Sequence, residues 1–403
     1  MYLTHISLTN FRAYTRLDLD VPKPFLLLTG SNAQGKTTVL EAIYFLATFT
    51  SFHAQNDRQL LSFMVAEEPL AVGRIVADFQ RGEKTHRLEA RLILEKTNGG
   101  GRLRKEVLVD GVKRSIHEAL GHFNAVIFLP QMARIIESGP DERRRYLNLL
   151  ISQAIPEYAR SLSDYSQVLS QRNALLKQLA EKGGDRDQLC YWDEMLASHG
   201  SNIINNRMVV ICELEQLAAR IHHRLTNSSE ILRLDYQPGF DPTPHPENQL
   251  ALPIRSPAQR TGLSTDQIRN GMLDRLSLLR NEEIRRGITT IGPHRDEMRL
   301  LSNGVDLGDY GSRGQGRTAL LALKLAEVLW LKNKTGDWPV LLLDEIMAEL
   351  DGQRRLDLLD ALADCEQVLL TTTDIHLFAD EFVDRGIVWR VEEGRVTLPD
   401  VLN

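Results

Sequence analysis

A lysine, a threonine and two carboxylates near opposite ends of the chain carry its chemistry. Gly30-Ser31-Asn32-Ala33-Gln34-Gly35-Lys36-Thr37 is a complete G-x-x-x-x-G-K-T phosphate loop, and Thr38 follows it. Its glycines let the backbone turn so that N–H groups face phosphate oxygens. Lys36 is placed to reach the β- and γ-phosphates of a nucleoside triphosphate, and the Thr37 hydroxyl to ligate magnesium. Val340-Leu341-Leu342-Leu343-Asp344-Glu345 is an apolar run closed by two carboxylates. Asp344 can hold magnesium directly or through water, and Glu345 can act as general base on the attacking water. Between these motifs lies Ser312-Arg313-Gly314-Gln315. A serine hydroxyl and free amides at a helix start attract an anion. Together the three motifs read as an ATPase whose two copies close face to face over ATP. Ser312, Gly314 and Gln315 of one copy would meet the γ-phosphate held by the other.

These residues need a scaffold, and the flanking sequence supplies one. Phe25 to Thr29 is an apolar run of strand length, and Thr38 to Leu46 reads as a buried helix. The loop between them therefore has the strand-before, helix-after context that the motif requires. Four consecutive apolar residues after Pro339 have the pattern of a central parallel strand covered on both faces. Arg317 to Trp330 contains neither glycine nor proline and reads as a strong helix. The long separation of the two halves of the site implies an insertion through the middle of an α/β head.

Three regions follow. Residues 1–137 are strand-rich: His86 to Leu92 alternates, Asn98 to Gly101 makes a turn, and Val107 to Val112 forms a hairpin. Residues 138–287 are helical, with Leu147, Leu149, Leu150, Leu162, Tyr165, Leu169, Leu176 and Leu179 spaced for a buried stripe. Lys182-Gly183-Gly184-Asp185 breaks that run, a further helix spans Ile203 to Leu225, and another spans Asp266 to Ile284. Six prolines between Gln237 and Gly262 mark an irregular, exposed insertion. Residues 288–403 are read as the second half of the head.

Composition bounds the rest. The 403 residues are 42% hydrophobic and 25% charged, an ordinary soluble composition with room for more than one core. No apolar run is long enough to span a membrane, and the N-terminus lacks the features of a signal peptide. Three isolated cysteines suit a reducing, cytoplasmic setting and offer no zinc pair. A net charge of −6 argues against general coating by nucleic acid, so any such contact must be a local basic patch. Arg143-Arg144-Arg145 is one candidate, with a solvated helix face as the alternative. Arg102, Arg104, Lys105, Lys113 and Arg114 are another, with protection of a strand edge as the alternative.

Several segments carry a family resemblance spanning nearly the whole chain, in order. Leu8 to Arg12, the loop Gly30 to Thr37, Phe128-Leu129-Pro130 followed by Gly139 to Arg145, Gly292-Pro293-His294-Arg295-Asp296, Tyr310 to Arg317 and the Asp344-Glu345 strand all resemble the RecF family. The resemblance implies an ABC/SMC-type P-loop ATPase head formed from N- and C-terminal halves, with an inserted helical arm. It also implies ATP and Mg2+ as cofactors and a weak DNA-stimulated ATPase that works as a timer. An ATP-dependent homodimer would bind duplex or single-strand junctions of DNA and cooperate with RecR and RecO in loading RecA. The setting it implies is DNA repair, replication and the SOS response. In the resemblance Arg12 would approach the nucleotide or its partner loop. Gln131 stands where the family commonly has an acidic residue, and would supply a magnesium-sensing glutamine. Thr372-Thr373-Asp374 replaces the switch histidine of transporter ATPases. His294 reads either as a loop-fixing hydrogen-bond partner or as a base at the ATP site.

Two other classes compete. A chromosome-organising SMC-like ATPase would need sustained heptads and a Cys-x-x-Cys hook, which the middle region lacks. The energising subunit of a membrane transporter would carry the switch histidine, and would lack Gly-Pro-His-Arg-Asp.

Overall fold

The computed structural model describes residues 1–97, 100–242, 262–378, 380–383 and 385–397. The chain divides into two compact units, Met1–Met132 with Glu327–Asn403, and Ala133–Ala326.

Both chain ends interleave in one sheet of the first unit. Its strands lie in the order Arg395–Thr397, Gly386–Glu392, Phe25–Thr29, Val368–Thr372, Val340–Asp344 and Ala125–Phe128. All pairings after the first are parallel. The strands Val340–Asp344, Val368–Thr372 and Ala125–Phe128 are buried along their whole length. The apolar residues that make up most of each strand follow from having both faces covered. A second, antiparallel sheet contains Tyr2–Phe11, Tyr14–Asp20, Leu70–Arg81, Lys84–Thr97, Gly100–Val109 and Val112–Arg114. The expected hairpin turns at Asp110-Gly111, both with positive φ as a tight two-residue connection requires. Asn98 and Gly99 of the other expected turn lie outside the described residues.

The phosphate-loop helix Lys36–Thr48 touches strands of both sheets. Its Leu40 and Ile43 share one core with Leu26, Leu28 and Leu342 of the parallel sheet and Leu3, Ile6 and Leu88 of the antiparallel one. A helix covered on every side needs no polar stripe, and Val39 to Leu46 shows none.

The second unit holds the long helices Pro140–Ala154, Pro156–Lys182, Gln188–Leu225 and Thr265–Arg286. Gln188–Leu225 begins well before the expected Ile203, through Gly200 and Ser201. Gly200 is there for packing: a Cβ at this position would sit 3.1 Å from the Met272 sulfur and 3.2 Å from the Tyr165 ring. Thr265–Arg286 is closed by a Ser264/Gln267 capping box and ended by Gly287 at φ +66°. The proline-rich insertion falls mostly on 243–261, outside the described residues.

The division differs from the sequence expectation of 1–137, 138–287 and 288–403, most of all at the second boundary. Residues 288–326 belong with the helical unit. The reason is a strand pairing across the insertion: Glu297–Ser302 runs antiparallel to Leu232–Gln237, with Met298 opposite Tyr236.

Within Gly292-Pro293-His294-Arg295-Asp296, the buried Gly292, Pro293 and Asp296 and the half-buried His294 form a hub of this unit. Asp296 accepts from Arg207 Nη1 at 2.6 Å, from the Gly239 N–H at 2.7 Å and from the Tyr236 hydroxyl. Arg207 also donates to Tyr158 Oη, Pro293 O and Asn148 Oδ1. His294 Nδ1 accepts from Tyr165 Oη at 2.7 Å, and Nε2 faces Thr289 O at 3.2 Å. Burial, helped by the neighbouring Arg295, Arg144 and Arg172, pushes the His294 pKa down to about 4, so the ring is neutral. The histidine is a structural hydrogen-bond partner here. Replacing Asp296 by alanine strands the Arg207 guanidinium in the interior and should cost about 3–5 kcal/mol. Urea denaturation checks this, and Asp296→Leu combined with Arg207→Leu should cost less than Asp296→Ala alone. Equal losses would mean that the pair is not the source.

Candidate functional site

Four strand ends converge on the phosphate loop. In open parallel sheets ligands bind beyond the carboxyl ends of the strands. Here those ends carry Gly30 after Phe25–Thr29, Asp344-Glu345 after Val340–Asp344, Thr371 at the end of Val368–Thr372, and Pro130-Gln131 after Ala125–Phe128. A cavity of about 350 Å³ opens there, lined by Ala13, Asn32 to Thr38, His53, Pro130, Gln131, Asp344 and Glu345.

The loop geometry explains its glycines. Gly30 has φ +144°, and a Cβ there would lie 2.3 Å from Val391 O. Gly35 has φ +109°, and its Cβ would meet Tyr14 Oη at 2.9 Å. Tyr14 Oη donates to Gly35 O at 3.3 Å, and burial raises its pKa to about 12, so it remains a protonated donor. Gln34 is braced by the C-terminal hairpin, accepting from the N–H groups of Glu393 and Gly394.

Lys36 is only 3% exposed. Its Nζ donates to Gly30 O at 2.7 Å and Ser31 O at 3.0 Å, and lies 3.3 Å from Glu345 Oε1. Thr37 Oγ1 and Thr371 Oγ1 both donate to Asp344 Oδ1, at 2.8 and 2.7 Å. The two carboxylates differ in setting: Asp344 is 6% exposed, whereas the Glu345 side chain is 35% exposed. Glu345 takes φ +49°, a left-handed conformation that costs an ordinary residue roughly 1–2 kcal/mol. Its N–H donates to Thr371 Oγ1 at 3.0 Å, which helps hold the strained turn.

Arg12, expected to approach the nucleotide or its partner loop, is not among the residues lining this cavity. Its guanidinium makes a bidentate pair with Glu41 of the phosphate-loop helix, at 2.9 and 2.8 Å. Ser51 donates to the same carboxylate and accepts from the N–H groups of His53 and Ala54. This chain of bonds fixes His53 at the cavity rim. His53, Ala13 and Thr371 belong to no motif; only Thr371, a polar residue closing an apolar strand, left a signal in the sequence.

Ser312, Gly314 and Gln315 lie in the other unit, at the start of the helix Arg313–Thr335. Gln315 Oε1 accepts from the Ser312 N–H at 3.1 Å, and the Gln315 N–H donates to Ser312 Oγ at 3.2 Å. That reciprocal pair is a capping box. Asp351, in the loop after Glu345, caps the helix Gly352–Leu362.

Two of the basic candidates are tied down. Arg143 pairs with both oxygens of Glu297 at 2.6 and 2.7 Å, and Arg144 donates to Asp296 O at 2.6 Å. On the hairpin, Arg104 and Lys113 share Glu106, and Lys105 pairs with Asp57. Among the described residues no helix is long and apolar enough to cross a membrane.

This fold and site define an ABC/SMC-type P-loop ATPase head, and the RecF/RecN/SMC N terminal domain family matches residues 2–391. A DNA replication and repair protein RecF from Roseiflexus castenholzii is 38% identical over 412 residues, covering 98% of this chain and 99% of the relative. Another from an Exiguobacterium species is 35% identical and covers 100% of both chains. A solved structure of the recombination mediator protein RecF-ATP in the RecFOR pathway superposes with a TM-score of 0.82 at 31% identity, covering 98% of this chain and 97% of that one. The chain belongs to the RecF family.

Proposed function

We propose that this chain is an ATP-dependent DNA-binding protein of recombinational repair and replication restart. In this reading ATP joins two copies on DNA at a gap or a duplex–single-strand junction. The dimer then acts with RecR and RecO to load RecA in the cytoplasm, and slow hydrolysis releases it. The observation that carries the reading is the convergence of Lys36, Thr37, Asp344, Glu345 and Gln131 on one cavity. The solved RecF-ATP relative supports ATP as the ligand.

Each side chain has a task suited to its setting. Gly30 to Thr38 wrap the phosphates with backbone amides at the start of a long helix. Lys36 turns from the loop carbonyls to the β- and γ-phosphates. Glu345, the more exposed carboxylate, accepts a proton from the attacking water. Ser312, Gly314 and Gln315 come from the second copy. The residues also fit a magnesium ion. Thr37 Oγ1 and Asp344 Oδ1 are hard oxygen donors 2.8 Å apart, and Gln131 adds a carboxamide on the cavity wall. When bound, the ion would neutralise charge on the phosphates.

The test is mass in solution by light scattering, with gapped duplex DNA, with and without ATP. A dimer is expected only with ATP, and more of it with DNA. A monomer indifferent to both would take down the two-copy mechanism and leave family membership intact.

A further inference from the structure

Glu230 sits in the turn between the helix Gln188–Leu225 and the strand Leu232–Gln237. Asn227 and Ser228 before it both take left-handed backbone conformations, φ +49° and +65°. Two bonds pin the far end of the turn: the Ile231 N–H donates to Asn303 Oδ1 at 2.9 Å, and the Asn303 N–H to Ile231 O at 3.0 Å. The Glu230 side chain is thereby held 19% exposed, against the signature loop. Its Oε1 accepts from Gln315 Nε2 at 3.1 Å, and its Oε2 accepts from Ser302 Oγ at 2.8 Å. Behind it lies His222, fully buried, with Nε2 3.7 Å from Glu230 Oε2. Burial lowers the pKa of that ring despite the neighbouring carboxylate.

We propose that Glu230 is a positioning residue for the signature loop. It fixes the amide of Gln315 on the Ser312 N–H and so holds the backbone of the signature loop in the shape that meets the phosphate of a second copy. This rests on the reading that Ser312 and Gln315 act across the two-copy interface. A glutamine amide has a donor end and an acceptor end that can exchange places. An ionised carboxylate only accepts, so it selects the rotamer with Nε2 facing Glu230. That choice turns Gln315 Oε1 to the Ser312 N–H; separately, Ser312 Oγ accepts from the backbone N–H of Gln315. One lone pair of Ser312 Oγ is therefore occupied from within, and its hydrogen is left to be donated elsewhere. A capping box is complete with Ser312 and Gln315 alone. A mostly buried carboxylate on the third side, brought there by a left-handed turn, is what capping does not account for. The bond is part-buried, so water competes with it less than at the open surface.

The experiment uses the full chain as wild type, Glu230→Ala, Glu230→Gln and Ser312→Arg. Three readouts are taken: affinity of the monomer for a fluorescent ATP analogue, ATP-driven association by light scattering, and the urea midpoint. Glu230→Ala should weaken association by about tenfold per site, the worth of one charge-assisted hydrogen bond. Nucleotide affinity of the monomer and the urea midpoint should stay at wild-type values. Glu230→Gln should regain only part of the loss, because its Oε1 can still accept from Gln315 while its own amide, free to turn over, no longer selects the rotamer. If Glu230→Ala associates like wild type while Ser312→Arg fails, the inference is wrong and the two-copy reading survives. If Ser312→Arg associates normally, that reading falls and takes the inference with it. Equal loss in both Glu230 variants, or a loss matched by a lower urea midpoint, overturns positioning in favour of a purely structural role.

Discussion

Glutamine in place of Glu345 should lower ATP turnover by about 10²–10⁴-fold, the worth of a general base, while ATP-driven association persists. Two adjacent carboxylates sit in contrasting settings. Asp344 is buried, and one of its oxygens already accepts from both Thr37 and Thr371. Glu345 is a third exposed, so water can reach it, and its backbone is held in a left-handed turn by the Thr371 hydroxyl. Lys36 Nζ lies 3.3 Å from its Oε1, which ties the carboxylate to the cation expected to hold the γ-phosphate. Glutamine has nearly the same size and can still accept a hydrogen bond from Lys36, but it cannot take a proton. Binding and closure should therefore survive where hydrolysis does not. Phosphate release under steady state measures the first effect and light scattering the second. Wild-type turnover in this variant would remove Glu345 from the role of base. Prompt dissociation of its ATP-bound dimer would separate closure from the charge-neutral mimic assumed here.

How much of this site could be read without a structure depends on where its parts sit in the chain. Lys36, Thr37, Asp344 and Glu345 lie in stretches where a strand, a turn and the reactive residues are contiguous, so local pattern suffices. Thr371 is different. It reaches Asp344 only because Val340–Asp344 and Val368–Thr372 pair in parallel with Asp344 beside Thr371, and no local pattern encodes that register. His53 is brought to the rim by a relay through Ser51 and Glu41 that the sequence spreads over a helix and a loop. The pairing of Arg12 with Glu41 was illegible for the same reason, since Glu41 is a buried acid on a helix that otherwise reads as apolar. The second boundary was misplaced because Glu297–Ser302 pairs with a strand on the other side of the proline-rich insertion. Arg143 looked like a surface cation until Glu297 closed on it. Composition cannot tell a paired arginine from a solvated one.

Methionine in place of Lys36 should weaken ATP binding by about 10²-fold or more, since charge-assisted hydrogen bonds to two phosphates are lost. Methionine fills much of the same volume, so the buried stem remains packed. The cost to the fold is confined to the carbonyls of Gly30 and Ser31, which lose a shared donor, and to Glu345, which loses its ion pair. Titration with a fluorescent ATP analogue measures the effect, and unchanged affinity would mean that the loop does not hold the triphosphate through this lysine. The variant has a second use. A Lys36→Met copy still carries an intact Ser312 and Gln315, while a Ser312→Arg copy still carries an intact phosphate loop. If the signature acts across the interface, neither variant alone can build a complete site. A mixed dimer builds one, because the phosphate loop of the Ser312→Arg copy faces the signature of the other. Mixing two inactive preparations should then restore up to about a quarter of wild-type turnover, from random pairing into half mixed dimers with one complete site each. If the signature served its own copy's nucleotide, the Lys36→Met copy would still lack a working loop and the other a working signature. Mixing would restore nothing, and the face-to-face arrangement would have to be abandoned.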